Sequence, residues 1–114
     1  MRAAIKLVVP LAMAAGCVAS PASAQTAWDG VVTGRVSQID ATDGNNLGFR
    51  VYLDGAPACG TGTPGWAYLN QSFDNYQVVA ALVMTAWTTN RRVTLFSIRD
   101  TNGWCRIGYV QALG

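Results

Sequence analysis

The period of the apolar positions changes along the chain. From Val31 to Ile39, Val32, Gly34, Val36 and Ile39 are set among Thr33, Arg35, Ser37 and Gln38. Near-alternation of this kind predicts a strand with one buried face, and Gly34 is placed for a bulge or sharp bend. Asp40 to Asn46 is a run of turn formers. Leu47 to Leu53 predicts a second strand, with Phe49, Val51 and Leu53 on one face and Arg50 and Tyr52 on the other. After the Asp54-Gly55 turn, Ala56 to Gly65 reads as a Gly/Pro-rich loop and Trp66 to Leu69 as a short third strand.

The spacing then becomes helical. From Phe73 to about Thr88, Tyr76, Val79, Val83 and Ala86 or Trp87 recur at helical intervals. Asn70 and Ser72 offer N-caps, and Asp74 would sit in the first turn, where the helix dipole favours an acid. Val78, Leu82 and Met84 fall outside that stripe, and no charge follows Asp74 within the segment. A helix apolar on all sides needs cover on all sides, which so small a domain supplies poorly. Self-association is the expectation, with Tyr76, Val78, Leu82 and Val83 at the interface.

Asn90-Arg91-Arg92 ends the helix, and Val93 to Ile98 predicts a fourth strand. Asn102-Gly103 is a hairpin signal, and Cys105 to Leu113 predicts a fifth strand with Ile107 and Tyr109 on one face and Arg106, Gly108 and Val110 on the other. Phe49, Phe96 and Trp87 are expected in the core. The order is β-β-β-α-β-β, with no linker or repeat to divide it.

Ahead of this domain, residues 1–24 have the three parts of an export signal. Arg2 and Lys6 are basic, Leu7 to Ala19 is apolar apart from Pro10 and Gly16, and Ala22-Ser23-Ala24 is a small-residue cleavage site. The apolar run is shorter than the roughly 20 residues a membrane span needs. An alternative reading makes Cys17, in Ala14-Ala15-Gly16-Cys17, a lipidated cysteine. Residues 25–114 form the single mature domain, secreted or periplasmic.

Removing the signal changes the charge balance. Arg35, Arg50, Arg91, Arg92, Arg99 and Arg106 remain against Asp29, Asp40, Asp43, Asp54, Asp74 and Asp100, with no Lys, Glu or His, so the net charge is zero. A neutral domain lacks the broad positive field that nonspecific nucleic-acid binding draws on. Cys59 and Cys105 survive as an even pair and predict a disulfide in an oxidising compartment.

Five short strands with one helix between the third and fourth is the element order of a five-stranded OB-like barrel, mainly β. With an export signal and one disulfide, Val31 to Leu113 resembles, in architecture, the B subunits of bacterial AB-five toxins of the subtilase-cytotoxin and pertussis-like group. The resemblance implies a homo-oligomer whose outer surface binds host glycans. It carries no sugar-binding residue onto a position of this chain.

The catalytic inventory is short. No His or Glu is left to act as a general base near neutral pH. No metal-ligand cluster and no cofactor motif is present, and Asp40-x-x-Asp43-Gly44 and Asp100-x-Asn102-Gly103 read as turns. A non-catalytic binding module follows, with a glycan or a protein as partner; a small periplasmic inhibitor or accessory protein is the alternative. A Cys59–Cys105 bond would bring Trp66 and Trp104 together, with Tyr68, Asn102 and Arg106 nearby. That set is the expected ligand patch; two tryptophans packed on a disulfide is the structural alternative. N-terminal sequencing of the exported protein is expected to begin Gln25-Thr26-Ala27; a blocked Cys17 would overturn that assignment.

Overall fold

The computed structural model describes residues 27–114. The signal segment, with Cys17 and the cleavage point after Ala24, lies outside the described residues. The elements are β1 (Gly30–Ala41), β2 (Phe49–Leu53), β3 (Ala67–Leu69), α1 (Tyr76–Thr88), β4 (Arg92–Arg99) and β5 (Cys105–Ala112). The domain is mainly β with one helix, in the expected order.

The five strands form one mixed sheet that closes in a ring, β1-β2-β3-β5-β4 and back to β1. β1 makes this possible by pairing twice. Gly30 to Arg35 runs antiparallel to β4, and Val36 to Ala41 runs antiparallel to β2. The register slips between Val36 and Gln38 as β1 passes from one partner to the other. The irregularity therefore falls at Ser37 and not at Gly34. At Gly34 the demand is a close approach, since a Cβ there would stand 3.2 Å from the carbonyl oxygen of Asp54. Among the described residues β3 and β5 make the one parallel pairing, with Tyr68 opposite Arg106.

The interior of the ring is filled by Val36, Phe49, Val51, Leu53, Leu69, Val93, Leu95, Ile107 and Val110. β2 alternates as its sequence dictates, Phe49, Val51 and Leu53 inward and Arg50 and Tyr52 outward. In β5 the alternation breaks. The β4–β5 register passes from Ser97 opposite Ile107 to Phe96 opposite Tyr109, which makes Gly108 the extra residue of a bulge. Val110 is thereby turned inward and Tyr109 outward, the reverse of what strict alternation gives.

α1 lies on the barrel through Ala80, Val83 and Ala86, whose small or branched side chains let the helix approach closely. Val83 is fully buried within the subunit, so it is core and unavailable to an interface. Val78 is 67% exposed and Trp87, expected in the core, is 46% exposed. Tyr76 and Leu82 are half-buried against the core. The outer stripe of Gln77, Val78, Ala81 and Thr85 is thus left uncovered, with Leu82 half-buried along its edge.

The helix start also differs from the sequence reading. Asn75 is the N-cap residue, without a side-chain cap bond, and no acid stands in the first turn. Asn70 serves another element: its Oδ1 accepts from the backbone N–H groups of Leu47 (2.7 Å) and Gly48 (3.3 Å), tying the β1–β2 loop to the end of β3.

Cys59 and Cys105 are bonded, with Cα atoms 5.8 Å apart. Both are buried, beside Ser97, whose hydroxyl donates to the Gly30 carbonyl at 3.4 Å. A Cβ at Gly30 would collide with the Cys59 carbonyl. The bridge spans 46 positions, and a loop of that length implies about 4 kcal/mol through restriction of the unfolded chain. Reduction is expected to lower the unfolding free energy by about that amount, measured by urea titration with and without reductant.

Candidate functional site

The registers of β1, β2, β3 and β5 set four polar side chains in one row across the outer face of the sheet: Asp40, Arg50, Tyr68 and Arg106. Tyr68, at its centre, is only 3% exposed. Its hydroxyl donates to Oδ2 of Asp100 at 2.5 Å. The other oxygen of that carboxylate accepts the backbone N–H groups of Asn102 (2.8 Å) and Trp104 (2.9 Å). One aspartate therefore organises the tip of the β4–β5 hairpin and joins it to β3.

Arg99 makes a second link. It donates to the carbonyls of Gly103 and Thr61, each at 2.8 Å, so the long β2–β3 loop is held against the hairpin tip. With the disulfide beneath, these contacts bring Trp66 and Trp104 together. Their rings stack with centroids 5.4 Å apart and planes 15° from parallel. The guanidinium of Arg50 lies 4.7 Å from the Trp66 centroid, within cation–π range. Trp104 is 38% exposed at the open end of this stack.

Arg106 and Phe73 form the other flank, the guanidinium 5.2 Å from the ring centroid. Phe73 in turn lies 5.9 Å from Tyr68. Beside them opens a cleft of about 420 Å³ with Phe73, Asp74, Asn75, Val79, Arg106 and Gly108 in its lining.

The protonation states follow from these contacts. Burial, the bond to Asp100 and that group's negative charge all hold the Tyr68 hydroxyl in its neutral form, well above the ordinary tyrosine range, against the opposing pull of Arg106. For Asp100, burial pushes the pKa upward. The hydrogen bonds from Tyr68 and from the backbone N–H groups of Trp104, Asn102 and Gly103 outweigh it, and the net shift is downward. Asp40 is lowered chiefly by hydrogen bonds from Gln38 and Tyr52, which outweigh the upward push of burial, with a lesser downward pull from the charge of Arg50.

Trp66, Tyr68, Trp104 and Arg106 thus share one outer face, with Asn102 exposed at the hairpin tip beside them. Their roles differ. Tyr68 is the floor and Trp104 is open to solvent. Sequence reasoning missed Arg50, Phe73 and Asp100. Outward alternation in β2 marked Arg50 as exposed, yet nothing in the sequence gave the β2–β3 register that sets it opposite Tyr68.

A second aromatic cluster was also missed. Phe96, expected in the core, lies half-buried on the outer face, stacked on Tyr109 with centroids 4.6 Å apart. Trp28 meets Phe96 edge-on at 5.7 Å and sits over Gly108, where a Cβ would strike its ring. Among the described residues no three His, Cys, Asp or Glu side chains gather as metal ligands. Compared with known proteins, the chain matches no family model, no curated protein and no solved structure.

The Tyr68–Asp100 bond has a readable pH signature. A lowered carboxylate contributes stability above its ordinary pKa of 3.8 and loses it as the pH falls through the folded value. A raised tyrosine contributes below its ordinary value of 10.0 and loses stability as the pH rises beyond it. Tyr68→Phe is expected to cost about 1.5–3 kcal/mol at neutral pH, as loss of a hydrogen bond to a charged group does. The deficit should be largest between those two ordinary values and shrink outside them, by urea titration at acid, neutral and alkaline pH; a pH-independent deficit would refute the assignment.

Proposed function

We propose that this chain is an exported, non-catalytic binding module with an OB-like barrel, which holds a glycan on the Trp66–Trp104 platform and works as a homo-oligomer. The β1-β2-β3-β5-β4 ring, with β3 and β5 parallel, supports the OB-like reading. In barrels of that kind the face of the second and third strands, with the loops joining strands one to two and four to five, is where oligosaccharides and oligonucleotides bind. Here those loops are residues 42–48 and 100–104, and the second of them carries Trp104. A neutral mature domain favours the sugar over the nucleic acid.

The observation that carries the reading is the stack of Trp104 on Trp66, one ring open and the other braced by Arg50. A sugar ring lays its C–H face on an indole, and Asn102 and Arg106 supply hydrogen bonds at the edge. Single-site affinity of this kind is weak, and repetition around an oligomer raises it by about 10²–10⁴. The disulfide and the export signal fit a secreted or periplasmic location. No helix among the described residues is long and apolar enough to cross a membrane.

The uncovered stripe of Val78 and Ala81, with half-buried Leu82 beside it, supports a protein contact as well. Copies of the same chain are the partner in the toxin-like reading; a different protein is the partner if the module is a periplasmic accessory or inhibitor.

Trp104→Ala is expected to abolish binding on a glycan array probed with the mature oligomer, while costing about 0.5–1.5 kcal/mol of stability for the lost stack. A loss of about 3–5 kcal/mol would instead mark Trp104 as core and remove the platform. Val78→Asp is expected to dissociate the oligomer without unfolding the subunit, since Val78 is 67% exposed. Sedimentation reads the outcome, and a wild-type monomer at micromolar concentration would reject self-association.

A further inference from the structure

We propose that the cleft framed by Arg35, Arg91 and Arg92, at the C-terminal end of α1, is a binding site for a phosphate or sulfate group. Three of the six arginines of residues 25–114 meet here, around a space of about 310 Å³ lined also by Thr89, Asn90, Leu113 and Gly114, so that no aspartate and only the terminal carboxylate of Gly114 stands against their three positive charges. Arg35 and Arg92 stand directly opposite each other across the β1–β4 ladder. Like charges in facing positions of an antiparallel pair destabilise it.

The other three arginines have structural work. Arg50 donates to the carbonyls of Leu47 and Asn46 and lies over Trp66. Arg99 holds the Thr61 and Gly103 carbonyls, and Arg106 lies over Phe73. In the cleft, Arg35 uses its Nε to donate to the Asn90 carbonyl at 3.2 Å. Its terminal amino groups, and the guanidinium groups of Arg91 and Arg92, make no hydrogen bond among the described residues.

Capping of α1 does not account for the cluster. The carbonyls of Thr85, Trp87 and Ala86 already accept backbone N–H groups from Thr89, Asn90 and Arg91. Those amides are consumed, so an anion would be held by side chains alone. Guanidinium forks match the oxygen spacing of tetrahedral oxyanions and bind them in pairs of hydrogen bonds. A carboxylate would cancel one of the three positive charges; a phosphate monoester cancels nearly two and brings a third acceptor oxygen.

The test is a titration of the ¹⁵N-labelled mature protein with inorganic phosphate at fixed ionic strength. Saturable chemical-shift changes confined to Arg35 and residues 89–92 are expected. Arg92→Gln should weaken binding at least tenfold, yet be no less stable than wild type without phosphate, because the facing like charges are gone. Non-saturating changes, or equal changes at Arg50, Arg99 and Arg106, would overturn the proposal. Competition by a sulfated disaccharide or by phosphatidylglycerol vesicles then identifies the source of the group; competition by neither assigns the site to the free ion.

Discussion

Closing the ring depends on its shortest element. β3 has three residues and meets β5 through one registered pair, Tyr68 with Arg106. So few ladder hydrogen bonds cannot by themselves fix a seam that follows a loop without regular structure. The Cys59–Cys105 bond stands at that seam, joining the loop before β3 to the first residue of β5. Gly30 and Ser97 press against it from β1 and β4. Four of the five strands, β1, β3, β4 and β5, are therefore held in relation to one covalent link, beside which Trp66 stacks on Trp104.

The same economy governs the polar groups above the seam. Asp100 is one carboxylate accepting from a tyrosine hydroxyl and from backbone amides of the hairpin tip, so the tip and a strand share one negative charge. Arg99 neutralises nothing in this arrangement; it spends its donors on carbonyls of the two loops. The Trp66–Trp104 stack consequently rests on directional contacts made within the chain, which fix its side chains in place.

Element order, the β2 faces, the disulfide and the clustering of Trp66 with Trp104 were legible because each follows from local period, from turn chemistry or from parity of cysteines. What escaped was non-local. Gly108 reads as an ordinary outward position until pairing with Phe96 and Ser97 makes it a bulge, and only then do Tyr109 and Val110 exchange faces. Asn70 reads as a helix cap by its neighbours, yet the β1–β2 loop claims its side chain first. Val83 lies on the helical stripe and Val78 off it, and the docked helix buries the first and exposes the second, so only Val78 of the two is open to a partner. Arg35 and Arg92 lie 57 positions apart in the chain and become neighbours only through the β1–β4 register.

The spacing of the two cysteines also orders events in time. A chain delivered N-terminus first presents Cys59 together with β1 and β2, whereas Cys105 opens the last strand. Throughout that interval the first thiol has no native partner, and the parallel seam has no second edge. The ring therefore cannot close, nor the disulfide form, until β5 is present.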